Sequence, residues 1–293
     1  MTELFPPFAP DPHEPRRRLY KPVPFRVIAP NLVTVLGLCL GLTAIRLAYE
    51  GRIDPAIYAR NLEYAVICII AAGVLDGIDG RLARFLKGTS RFGAELDSLS
   101  DFVCFGVAPA LILYGFILHN LRGLGWIAAL VLAIAAGLRL ARFNVMIDDP
   151  TRPDWQKNFF VGMAAPAGAV TALLPLYLYF LGVPMGPRMA PVVLIYVLFI
   201  AFMMVSNVPT FSGKTMGKRV PRHWVLPIFV VTAAFIGLLV SFPFVTLAVG
   251  TAVYLVSIPF GVARYRQFAR EGAATSPPTT AQPAPASPEP PSA

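Results

Sequence analysis

The sequence predicts an all-α, polytopic membrane helix bundle of about eight transmembrane helices. Three observations carry that expectation. The 293 residues are 56% hydrophobic and only 14% charged, whereas a soluble domain carries about 25% charged residues. The mean hydropathy is +0.63. Apolar runs of the length needed to cross a bilayer, about 20 residues, recur along the chain between short polar loops. Length alone would allow two soluble domains, but the hydropathy overrides that prior. A net charge of +9 in such a chain points to membrane topology and lipid headgroups, not to nucleic acid.

Residues 1–24 are rich in proline and polar groups and form a tail, with Arg16, Arg17, Arg18 and Lys21 close to the first span. Span 1 is expected over 27–48, where Asn31 and Thr34 share a face near its start, placed either to cap and pack the helix or to touch a substrate. Spans 2 and 3, over 62–87 and 93–119, flank the breaker Gly88-Thr89-Ser90. Span 4 covers 124–147 and ends in Arg139, Arg142 and Asn144. After a polar loop at 148–160 come spans 5 (161–182) and 6 (189–206). A basic loop with Lys214, Lys218, Arg219 and Arg222 leads to span 7 (223–241), and a turn at Ser241-Phe242-Pro243 to span 8 (244–263). The transmembrane domain is thus expected over 25–265. Residues 266–293, dominated by Pro, Ala, Ser and Thr towards the end, are expected to be a disordered tail. Cys39, Cys68 and Cys104 each lie inside an apolar run and read as small core residues. An even span count puts both termini on one side. Of the 25 Lys and Arg, only Arg46, Arg52, Arg60, Arg122 and Arg188 fall on the other side. The bias places the termini and the 88–90 turn in the cytoplasm, on a multi-pass cell-membrane protein.

The chemistry concentrates in residues 76–101, DGIDGRLARFLKGTSRFGAELDSLSD. Asp76 and Asp79 are three apart, Asp97 and Asp101 four apart, so each pair occupies one helix face. If the chain reverses near residue 89, the two pairs lie at similar depth, roughly 12 to 20 Å from the turn at about 1.5 Å per residue. Four carboxylates converging among apolar flanks repel one another unless cations neutralise them. All-oxygen ligands select hard divalent ions, Mg²⁺ or Mn²⁺. Any of the four could be released from metal duty to act as a base; the residues themselves do not choose among them. A charged loop beside a membrane helix would not need carboxylates two or three turns inside apolar helices.

The spacing D-x2-D-G-x2-A-R-x8-G-x3-D-x3-D resembles the signature of the CDP-alcohol phosphotransferases. It is met in full by Asp76, Asp79, Gly80, Ala83, Arg84, Gly93, Asp97 and Asp101. Two metal ions held by the four aspartates would neutralise a pyrophosphate-linked donor; the resemblance gives the role of base to Asp101, with the first three aspartates as ligands. It further implies a cytidine-nucleotide pocket at Gly80 and Ala83, phosphate binding by Arg84, and a homodimer; Gly93 is placed either to let the CDP-lipid approach the backbone or to pack helices, and Asn31 and Thr34 are further candidates for that pocket. Outside the motif, DSLSDFVCFGVAPALILY (97–114), GLRLARFNV (137–145) and VSNVP (205–209) resemble the integral-membrane phosphatidylserine synthase branch of that family. That resemblance extends over about 27–262. It implies CDP-diacylglycerol as donor and L-serine as acceptor, with phosphatidylserine and CMP as products. Serine carries a carboxylate, and Arg139 and Arg142, three apart at the end of span 4, are candidates to bind it or a donor phosphate. Interfacial anchoring is the alternative for that pair, and Asn144 and Lys157 are weaker candidates.

Two rivals remain at this level. Glycerol 3-phosphate, inositol phosphate or choline could replace serine as acceptor. From a different class, a divalent-metal or proton-coupled transporter would also carry intramembrane aspartates, although it should often show paired broken helices in two related halves, and the sequence has one carboxylate cluster with no second copy.

Overall fold

The computed structural model describes residues 25–53, 57–147, 159–206, 209–211 and 222–275. The chain divides into two compact units, Met1–Cys104 and Phe105–Ala293. Six helical stretches are long and apolar enough to cross a membrane: Phe25–Glu50, Tyr58–Phe85, Arg91–Phe116, Gly123–Met146, Pro187–Val205 and Pro243–Gly261. Two shorter apolar stretches, Ala165–Phe180 and Val225–Ser241, fall where spans 5 and 7 are expected. The protein is therefore an all-α integral membrane bundle. The strands among the described residues form a three-residue antiparallel ladder, β1 (Phe159–Val161) with β2 (Pro209–Phe211), in the register Phe159 to Phe211.

The first unit is built from α1 (Phe25–Ile53), α2 (Tyr58–Phe85) and α3 (Arg91–Asp101). α1 and α2 pack along a seam of small and branched residues, with Ala44, Ala48, Leu62, Ala65, Val66, Ile69 and Ala72 buried. Small side chains let membrane helices approach closely where no hydrophobic effect drives them together. α2 ends in a Schellman turn. Gly88 N donates to Ala83 O at 2.9 Å and Lys87 N to Arg84 O at 3.2 Å, with Lys87 at φ 50°. Ser90 then caps α3, its Oγ accepting from Gly93 N at 3.0 Å. Pro30 lies inside α1 and has no N–H for the carbonyl of Arg26. Gly88 is buried against that carbonyl so closely that a Cβ would overlap it.

In the second unit, α4 (Ala108–Phe116) follows a π-helical segment, Phe102–Val107, that continues directly from α3. α5 (Gly123–Ile147) packs on α8 (Ala190–Val205), burying Ala128, Leu132, Ala136, Val193, Val197 and Ile200. α10 (Pro243–Thr275) packs on α7 (Leu174–Phe180) and follows α9 (Arg222–Ser241), which presents large apolar side chains such as Leu226, Phe229 and Val240 outwards. In water such a face would be an anomaly; against lipid it needs no partner. α10 continues to Thr275, past the boundary expected at 265, and no proline falls between Pro259 and Pro277.

Span 5 differs from its expected form. It is two short helices, α6 (Ala165–Ala172) and α7 (Leu174–Phe180). Pro175 cannot donate to the carbonyl of Thr171 four residues earlier, so the ladder breaks there. In a bilayer a stranded carbonyl needs another donor. Tyr196 Oη of α8 donates to Thr171 O at 2.6 Å, and Tyr177 Oη to Val170 O at 2.9 Å. Tyr196→Phe should therefore destabilise the protein by about 1–3 kcal/mol, the cost of a buried acceptor left unsatisfied. Thermal unfolding in detergent checks this, and an unchanged midpoint would show that the break is satisfied in another way.

Candidate active site and metal centre

The turn between α2 and α3 folds the motif back on itself, as the 88–90 breaker predicts. Asp76 on α2 and Asp97 and Asp101 on α3 come together. Each offers a carboxylate oxygen within 4.8 Å of the other two, and all three are half-buried. Two oxygens on opposite sides of Mg²⁺ would be about 4.2 Å apart, so carboxylate oxygens gathered within 4.8 Å of one another suit a shared divalent ion. The donor set is entirely carboxylate oxygen, which suits Mg²⁺ or Mn²⁺ and not a thiolate-seeking metal. Three like charges at this range, partly withdrawn from water, are costly without a cation.

Asp79, the fourth expected ligand, is not part of that group. It is 4% exposed and its Oδ2 accepts a hydrogen bond from Thr34 Oγ1 at 2.6 Å. Thr34 itself is buried and lies 3.2 Å from Pro30 O. The sequence places Thr34 near the site but does not reveal that it meets Asp79. Two further donors link α3 and the π-helical segment that follows it to α1. Ser100 Oγ lies 3.4 Å from Thr34 O, and Cys104 Sγ 3.3 Å from Gly37 O. Cys104 is thus more than a small core residue, and a Cβ at Gly41 would come within 2.5 Å of its sulfur.

The expected donor-pocket residues are arranged unequally. Gly80 is exposed and a Cβ there would meet nothing within 4 Å, so its backbone borders open space and not a packed helix. Ala83 is half-buried one turn on, and Arg84 Nε donates to Gly80 O at 3.0 Å. Gly93, by contrast, is packed: a Cβ would stand 2.7 Å from Asn31 Oδ1. Asn31 and Gly93 form a helix contact beside the turn.

Arg139, Arg142 and Asn144 belong to α5 in the second unit. Arg139 is 8% exposed, with its guanidinium 5.1 Å from the centroid of the Phe143 ring. Arg142 Nη1 donates to the carbonyl of Val205, the last residue of α8, at 2.8 Å. A helix end leaves such carbonyls unpaired, so Arg142 acts as a cap between helices. Asn144 is exposed. Lys157 lies outside the described residues, as do the 1–24 tail and the loop with Lys214, Lys218 and Arg219.

The fold and the site together define a membrane-embedded helix bundle with a carboxylate cluster able to hold a divalent cation. The chain belongs to the CDP-alcohol phosphatidyltransferase family, whose model matches residues 27–205; a second model, CDP-alcohol phosphatidyltransferase 2, matches 223–259. The chain is 39% identical over 244 residues to the CDP-diacylglycerol–serine O-phosphatidyltransferase of Mycobacterium leprae, covering 83% of this chain and 77% of that one. It is 38% identical over 248 residues to the protein of the same name from Mycobacterium tuberculosis, covering 83% and 81%. The Helicobacter pylori protein of that name is 32% identical over 246 residues, covering 80% and 90%.

Proposed function

We propose that the protein transfers the phosphatidyl group of CDP-diacylglycerol to the hydroxyl of L-serine, giving phosphatidylserine and CMP. The observation that carries this is the complete eight-residue motif folded so that Asp76, Asp97 and Asp101 converge. The names of the relatives support the serine acceptor.

In the proposed reaction the serine oxygen attacks the phosphorus that bears diacylglycerol. The bond from that phosphorus to the bridging oxygen breaks, and CMP leaves with that oxygen. Asp101 takes the serine proton, a role the family pattern assigns to the last aspartate. Asp76, Asp79 and Asp97, with Asp101, are proposed to hold two divalent ions, Mg²⁺ or Mn²⁺, which when bound neutralise the pyrophosphate and the departing phosphate. Gly80, Ala83 and Arg84 would lie along the nucleotide, with the open backbone at Gly80 allowing close approach. The acyl chains would stay in the bilayer while the headgroup reaches the carboxylates. Arg139, Arg142, Asn144 and Lys157 are proposed to receive the serine carboxylate or a donor phosphate. The guanidinium groups of the first two combine that role with the packing described above. The site is proposed to open to the cytoplasm, with both termini on that side and the enzyme acting as a homodimer.

The test is CMP release by the purified protein in detergent with CDP-diacylglycerol and Mn²⁺ or Mg²⁺, across a panel of acceptors. Release stimulated by serine and abolished by chelation with EDTA is the expected result. Release stimulated instead by glycerol 3-phosphate, inositol phosphate or choline would overturn the acceptor. No release with any acceptor, from folded protein, would favour a transporter.

A further inference from the structure

We propose that Thr34 is a positioning residue that seats both carboxylate-bearing helices on one turn of α1 and fixes the orientation of Asp79. The proposal rests on the metal role assigned above to the aspartates. Thr34 and Asp79 are 45 positions apart in sequence, and both are buried, at 7% and 4% exposure. A carboxylate withdrawn from water is costly unless it accepts hydrogen bonds. Thr34 has one hydroxyl proton and two acceptors in reach, Pro30 O at 3.2 Å and Asp79 Oδ2 at 2.6 Å. The shorter contact to a charged acceptor is the stronger, so the proton goes to Asp79. With Oδ2 engaged, rotation of the Asp79 carboxylate is restrained.

The backbone of the same residue serves the other helix. Thr34 O accepts from Ser100 Oγ at 3.4 Å, and Ser100 immediately precedes Asp101. One turn further along each helix, Gly37 O accepts from Cys104 Sγ at 3.3 Å. Thr34 therefore holds Asp79 on α2 through its side chain and the Asp101 end of α3 through its carbonyl, with Gly37 adding a second carbonyl contact to the π-helical segment beyond. Partners of this kind orient metal ligands, and their loss typically weakens metal binding about 10- to 100-fold.

The experiment compares the full chain with Thr34→Val, Thr34→Ser and Ser100→Ala in detergent. Mn²⁺ binding is followed by the EPR signal of the free ion, and CDP-diacylglycerol KM is measured at saturating Mn²⁺. Thr34→Val keeps the shape and removes the hydroxyl; it is expected to weaken Mn²⁺ binding by at least about tenfold, with the donor KM little changed. Thr34→Ser, which keeps the hydroxyl, is expected to restore binding. Ser100→Ala cuts only the carbonyl link and is expected to weaken binding measurably, by less than Thr34→Val does. This variant remains informative if Thr34→Val does not fold. Wild-type Mn²⁺ affinity in the valine and alanine variants that fold overturns the proposal, as does a serine variant as defective as valine. A raised donor KM with intact Mn²⁺ affinity would instead make Thr34 a donor-binding residue. Absence of Mn²⁺ binding by the folded wild-type protein would overturn the metal assignment itself, a result distinct from the others.

Discussion

Asp101→Asn is expected to lower serine-dependent CMP release by about 10³-fold or more, because it removes both a proposed proton acceptor and a carboxylate of the convergent group. The same substitution is expected to raise the melting temperature of the metal-free protein. Asp76, Asp97 and Asp101 lie within 4.8 Å of one another, so neutralising one relieves repulsion that the fold otherwise carries. A site built for chemistry commonly holds such strain. Activity and thermal unfolding, each measured with and without Mn²⁺, give opposite signs if the assignment is right. The melting-temperature increase produced by Mn²⁺ in the wild type should shrink in the variant. Wild-type turnover by Asp101→Asn would remove this residue from the reaction.

Gly88→Ala is expected to have the largest structural effect of any single methyl group in the first unit. Gly88 is buried against the Arg26 carbonyl, and the obstacle to a Cβ is backbone, which cannot rotate away as a side chain can. Relief requires shifting either the start of α1 or the Schellman turn that ends α2. Overpacking of this kind costs about 1–3 kcal/mol and occasionally more, and the turn also sets where Asp97 and Asp101 begin. The expected outcome is a fall in melting temperature and in monodisperse yield on size-exclusion chromatography. Gly80→Ala is the control. Its Cβ would meet no protein atom within 4 Å, so stability should hold while the CDP-diacylglycerol KM rises, if the nucleotide lies there. A normally folded Gly88→Ala would show that the turn accommodates a side chain.

The contrast between these two glycines bears on what the sequence could reveal. Both stand in or beside a motif, and the letters alone do not say that one faces open space and the other a carbonyl. The spans were legible because bilayer thickness imposes a length on every apolar helix. The convergence of Asp76, Asp97 and Asp101 was legible because helical periodicity and one strong breaker fix which faces meet. Asp79 illustrates the limit. Its spacing matches the pattern, yet its partner Thr34 is 45 residues away and nothing local announces the pairing. The division of span 5 was hidden for a similar reason. A proline in an apolar run signals a lost donor, but whether the helix kinks or breaks depends on a neighbour able to serve the freed carbonyl. The π-helical segment after Asp101 left no compositional trace.

The pairing of Pro175 with Tyr196 carries a constraint on how this sequence can change. With proline at 175, a hydroxyl at 196 is needed to satisfy the Thr171 carbonyl. With alanine at 175, a backbone N–H returns and the hydroxyl becomes dispensable. The two positions therefore form a thermodynamic cycle in which Tyr196→Phe should cost markedly less on a Pro175→Ala background than on the native one. In a lineage, loss of the tyrosine is tolerated most readily after the proline has gone, so the order of substitution is set by one carbonyl group in the bilayer.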